Sequence, residues 1–166
     1  MSRIVILALS AAATLATFSA RAQEGAMQSE SRDAAAAYMG TANFLVGRIA
    51  SECLVVVGRP ESPQDYAAIW QSRNARYWIA ARKYMVKRLD AALASGGTAK
   101  RDSVLAEYAA AIRRDGEASA QSWITRGSRE EACMQAITVI DAGGLDVTQR
   151  VPIYNELEAL AKWAEQ

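Results

Sequence analysis

The sequence predicts an all-α fold: an antiparallel four-helix up-down bundle with a shorter fifth C-terminal helix, closed by one disulfide. Three observations predict it. Apolar residues recur at intervals of three and four over long stretches, glycine and proline fall at the ends of those stretches, and the only two cysteines sit where such a bundle would bring them together.

The chain opens with Met1-Ser2-Arg3, an uncharged run from Ile4 to Ala20, and Ala20-Arg21-Ala22. A short basic start, an apolar stretch and a small-x-small junction are what signal peptidase reads, so residues 1–22 are expected to be a cleaved signal peptide and 23–166 a single helical domain. Periplasmic or secreted localisation follows from that reading. No cysteine stands at the junction, so a lipid anchor is not expected.

The first helix is expected from about Ser31, after a polar, frayed stretch from Gln23 to Glu30. Tyr38, Ala42, Leu45, Ile49, Cys53 and Val56 recur on one side, and Gly58 with Pro60 marks the stop. Gly40 and Gly47, seven apart, either offer one side where a partner helix can approach closely or merely cost helix stability.

The longest and most aromatic run lies between Ser62 and Leu93. Ser62 is a natural N-cap, Pro63 needs no donor at the first helical position, and Asp65 suits the positive end of the helix dipole. Ala67, Trp70, Asn74, Tyr77, Trp78, Ala81, Tyr84, Met85, Leu89 and Ala92 fall on one broad side, which is expected to be core. Arg73, Arg76, Lys83 and Lys87 fall opposite, as a solvated face or as a basic surface for an acidic partner. Gly96-Gly97 ends the run.

A third helix is expected from about Thr98, carrying Val104, Leu105, Tyr108, Ile112, Ser119 and Trp123 up to Gly127, with Gly116 inside as a weak point. Ser128 and Glu131 form a capping box that starts a fourth helix with Cys133, Ile137 and Ile140, ended by Gly143-Gly144. A loop from Leu145 to Val151 leads to Pro152 in the first turn of the last helix, which carries Tyr154, Leu157, Leu160, Ala161 and Ala164.

Cys53 lies near the end of the first helix and Cys133 near the start of the fourth, which share a pole in an up-down-up-down bundle. In an oxidising compartment the pair reads as one disulfide, worth roughly 4 to 5 kcal/mol for a loop of this length. There is no Cys-x-x-Cys spacing.

Composition narrows the chemistry. The sequence holds 166 residues and no histidine, which removes Ser-His-Asp and Cys-His catalysis, histidine-ligated haem and nearly every ordinary zinc or copper site. No cofactor or metal is expected. Without Arg3 and Arg21 the 19 basic residues fall to 17 against 18 acidic ones, a near-neutral balance that argues against a nucleic-acid partner. Beyond the leader no apolar stretch is long enough to span a bilayer.

Two polar residues interrupt the core side of the central run. Asn74 lies between Trp70 and Trp78, and Arg88 beyond Tyr84. Either they are satisfied structural groups, an amide bonded to a neighbouring helix and a guanidinium paired with a carboxylate, or Trp70, Asn74, Trp78 and Arg88 line a polar pocket. Glu52, Glu107 and Asp115 are the carboxylates considered for a hydrolase, although no spacing singles out a pair; Arg48 and Glu52 read as a surface ion pair.

The segment Trp70-Gln71-Ser72-Arg73-Asn74 resembles the Trp-x-x-Arg-acid/amide patch of a lysozyme-inhibitor-like family of small, helical, disulfide-bonded periplasmic proteins. The resemblance covers five residues, and those proteins carry more cysteines than the two here. It implies inhibitor- or immunity-type binding. The expectation is therefore a non-enzymatic protein that binds another envelope or secreted protein, with a small-ligand or lipid-binding bundle and a carboxylate hydrolase as alternatives.

Overall fold

The computed structural model describes residues 12–166, with side chains described from Glu30 onward. The expected leader, residues 1–22, therefore lies outside the described residues for its first part, and only its backbone is described after that. The chain divides into two units, residues 1–31 and 32–166. The first carries the N-terminal part of the first helix, and the second carries the rest of that helix and all the others.

The described residues are all helical, in five helices: α1 Ala12–Cys53, α2 Pro63–Arg73, α3 Ala75–Ile124, α4 Arg129–Asp141 and α5 Tyr154–Ala164. α1 is already helical before Ser31, so the frayed stretch expected from Gln23 to Glu30 is helix instead. Alanine richness on both sides of it favours that outcome. α1 ends at Cys53, and Gly58, with φ 70°, turns the chain as the Arg59 N–H bonds to the Leu54 carbonyl at 2.9 Å.

The run expected to be one helix from Ser62 to Leu93 is two. Ser62 caps α2 as expected, its hydroxyl accepting from the Asp65 N–H at 3.1 Å. Asn74 then leaves helical geometry (φ −104°, ψ 22°) and serves both as the end of α2 and the start of α3. α3 is itself bent at Gly96 and Gly97. The latter takes φ 68° and ψ −167°, a conformation open essentially to glycine alone, and separates a first arm, 75–95, from a second, 98–124.

Glycines set how closely α1 meets the second arm. A Cβ at Gly40 would lie 2.4 Å from Ile112 Cδ1, and one at Gly116 would lie 2.4 Å from Phe44 Cδ1. Gly116 is thus a packing position and not a weak point. Gly47, expected to share this role with Gly40, has nothing within 4 Å of where its Cβ would be.

The capping box on α4 forms in both directions: the Ser128 hydroxyl accepts from the Glu131 N–H at 3.3 Å, and the Glu131 carboxylate accepts from the Ser128 N–H at 3.2 Å. Pro152 precedes the cap of α5, which is Ile153, and so lies outside the helix proper. Cys53 and Cys133 are joined, with Cα atoms 5.0 Å apart and a sequence separation of 80. The core around this link holds Met39, Val46, Ile49, Leu54, Trp70, Ile140, Leu157 and Leu160. Among the described residues no buried side-chain N or O lacks a hydrogen-bond partner, and no helix is long and apolar enough to cross a membrane.

Candidate functional site

Trp70, Arg73 and Asn74 converge on one piece of chain, the end of α4 and the loop after it. The Trp70 indole N–H donates to the Leu145 carbonyl at 3.1 Å. The Arg73 guanidinium donates to the Ile140 carbonyl at 2.8 Å and to Asp146 at 2.9 Å. The Asn74 side chain donates to the Trp70 carbonyl at 2.9 Å and to Asp146 at 3.0 Å, and it accepts the Val147 N–H at 2.7 Å. Every polar atom of Asn74 is therefore used, and the residue is buried. Three of the five residues that resemble the inhibitor patch, Trp70, Arg73 and Asn74, hold the 140–147 segment in place.

Arg88 has a separate partner. Its guanidinium donates to Asp33 on α1 at 3.1 and 3.3 Å, and the Tyr84 hydroxyl donates to the same carboxylate at 2.8 Å. Burial, then the Asp33 charge, pushes the neighbouring Tyr108 phenol well above its usual range. Trp78 is half-buried elsewhere on the first arm. The four residues considered as one pocket are thus distributed over three places.

The basic row is exposed yet engaged. Arg76 pairs with Glu158 and, at 2.8 Å, with Glu165; Lys83 donates to the Ala164 carbonyl; and Lys87 stands 5.2 Å above the Trp163 ring. With Arg73 on Asp146, all four members meet the chain from Asp146 onward. Hydrogen bonds from the Tyr77 hydroxyl and then from Arg76 hold the Glu158 carboxyl down to about 2. α5 is bound through its acidic and aromatic side chains to a row that periodicity alone marks as solvent-facing.

The carboxylates do not converge. Glu52 is held between Arg48 and Arg129, whose hydrogen bonds keep its carboxyl below the ordinary range, a poor state for a general acid. Glu107 accepts from Ser103, and Asp115 pairs with Arg114. Among the described residues no group of three or more potential ligands could hold a metal ion.

Two adjoining hollows remain on the surface of α1. One, of about 330 Å³, is almost wholly apolar and is walled by Ala36, Gly40, Trp78, Met85 and Ile112. The other, of about 460 Å³, lies between α1 and α2 and has a polar rim of Arg48, Ser51, Gln64 and Gln71. They share Asn43 and Phe44. Gln71 donates to Asn43 at 2.7 Å across that boundary, and the open side of Gly47 belongs to the second hollow. Neither hollow has a local sequence signal, because each is walled by more than one helix. Comparison with known proteins finds no matching family model, no matching curated protein and no matching solved structure.

Proposed function

We propose that this is an exported helical protein that acts by binding another envelope or secreted protein, as an inhibitor- or immunity-like platform. The observation that carries this reading is the pair of joined hollows on α1. An apolar floor beside a rim of amides, a hydroxyl and a guanidinium is the anatomy of a protein-binding surface. The body behind it carries a disulfide and, among the described residues, a fully bonded polar interior. Export is supported by the signal-like residues 1–22 and by the disulfide, which persists in an oxidising compartment.

The same reading takes the helices as an antiparallel four-helix up-down stack, with the α2–first-arm run counted as one member. Asp33–Arg88 and Asn43–Gln71 support an opposite sense for that run against α1. Gly40–Ile112 and Phe44–Gly116 support a common sense for α1 and the second arm, and the disulfide ties the start of α4 to the end of α1.

Capture from envelope extract on the tagged protein tests the function. One partner is expected repeatedly, with Trp78→Ala and Gln64→Ala each reducing its recovery while leaving the melting curve cooperative. A partner recovered equally well by both variants would place binding elsewhere. The apolar hollow also favours a second reading, a small-ligand or lipid-binding bundle. Native mass spectrometry showing a retained molecule, lost in Trp78→Ala, would select that reading.

A further inference from the structure

The first arm of α3 carries apolar side chains that stand exposed among the described residues. Ile79, Val86 and Leu93 are 60 %, 60 % and 42 % exposed and recur every seven residues. Arg82 and Asp90, both exposed, lie between them. At 100° per residue these five positions fall within a sector of about 80°, a single narrow stripe about 21 Å long. Lys83 and Lys87 on its flank are turned to α5, against Ala164 and Trp163. Arg82 and Asp90 have no ion-pair partner among the described residues, and eight positions apart they cannot reach each other.

The stripe reads the same in both directions. With Val86 as the centre, Ile79 is as far on one side as Leu93 is on the other, and Arg82 is as far as Asp90. We propose that a second copy of this chain docks here, the two stripes packed antiparallel about a two-fold axis through Val86. That arrangement sets Ile79 on the partner's Leu93 twice, Val86 on the partner's Val86 once, and Arg82 on the partner's Asp90 twice. It is an isologous interface. A parallel pairing would oppose Arg82 to Arg82 and Asp90 to Asp90, so charge selects the antiparallel sense and selects this chain as the occupant. One helix pair is a small contact, so a dissociation constant between about 1 µM and 1 mM is expected, weakened by salt.

Sedimentation equilibrium of the purified protein across that concentration range tests the proposal. A monomer–dimer equilibrium is expected, abolished by Val86→Asp, which brings two like charges together on the axis. Arg82→Asp and Asp90→Arg singly are expected to weaken association roughly tenfold or more, and the double exchange to restore it. All these positions are exposed, and unchanged melting curves confirm that the variants fold. A chain monomeric throughout, a dimer indifferent to Val86→Asp, or a double exchange that fails to restore association would overturn the proposal. A Val86→Asp variant, its substitution lying outside both hollows, that stays monomeric like the parent but loses a captured envelope protein would assign the stripe to that protein, and would overturn it too.

Discussion

The Asn74 side-chain oxygen accepts the backbone N–H of Val147 at 2.7 Å, across 73 residues of sequence, at the point where α2 gives way to α3. An asparagine at that point trades helical backbone geometry for bonds to a loop. Removing its amide leaves the Val147 N–H without its partner and takes from one Asp146 oxygen one of its two donors, the other being Arg73. Asn74→Ala is expected to lower unfolding free energy by about 1 to 3 kcal/mol in urea titration. Hydrogen exchange should accelerate first in residues 143–151, ahead of the α1 core; uniform acceleration would mean that the bond does not hold the loop.

The disulfide closes 80 residues. Replacing both cysteines by alanine is expected to cost roughly 4 to 5 kcal/mol in the chain-entropy view, read as a lower denaturation midpoint. Reducing agent applied to the parent should reproduce that shift and have no effect on the variant.

Glycines along α1 and α3 should respond with opposite signs. Gly116→Ala forces a Cβ to within 2.4 Å of the Phe44 ring and is expected to destabilise by about 1 to 3 kcal/mol. Gly47→Ala, with nothing within 4 Å, is expected to stabilise by up to about 1 kcal/mol through helix propensity. Thermal melts of the two variants give the comparison directly.

Glu158 makes the docking of α5 sensitive to acid. Its pKa falls from 4.5 when unperturbed to about 2 when folded, through Tyr77 and then Arg76. A carboxyl depressed on folding contributes stability in full above its unfolded pKa, and that contribution is lost as pH falls through the folded value. Trp163 packs edge-on against Tyr84 at 5.6 Å, so its fluorescence reports α5 docking. A change in that signal is expected between about pH 4.5 and pH 2 and should be much reduced in Glu158→Gln.

Much of this architecture is legible in the sequence, since helix ends are written locally. Ser62-Pro63, the Ser128–Glu131 box and Gly96-Gly97 act where their chemistry says they should, and Trp70, Ala81, Tyr84 and Ala92 face the core as their spacing requires. What spacing does not carry is the identity of distant partners. A one-residue interruption at Asn74 barely disturbs helical periodicity, and only the 145–147 loop makes it worth forming. Arg76, Lys83 and Lys87 look free because Glu158, Trp163 and Ala164 lie some eighty positions away. Gly40 and Gly47 are equivalent by spacing, yet only Gly40 meets Ile112. The hollows on α1 depend on such contacts and have no linear signature.

Photocrosslinking in intact cells tests most directly whether the joined hollows bind a protein. A photoreactive residue at Gln64, on the polar rim, is compared with one at exposed Lys100, outside both hollows. One discrete adduct is expected from position 64, absent from position 100 and lost on adding Trp78→Ala. No adduct from position 64, or the same adduct from both positions, would show that the hollows are not where this protein binds.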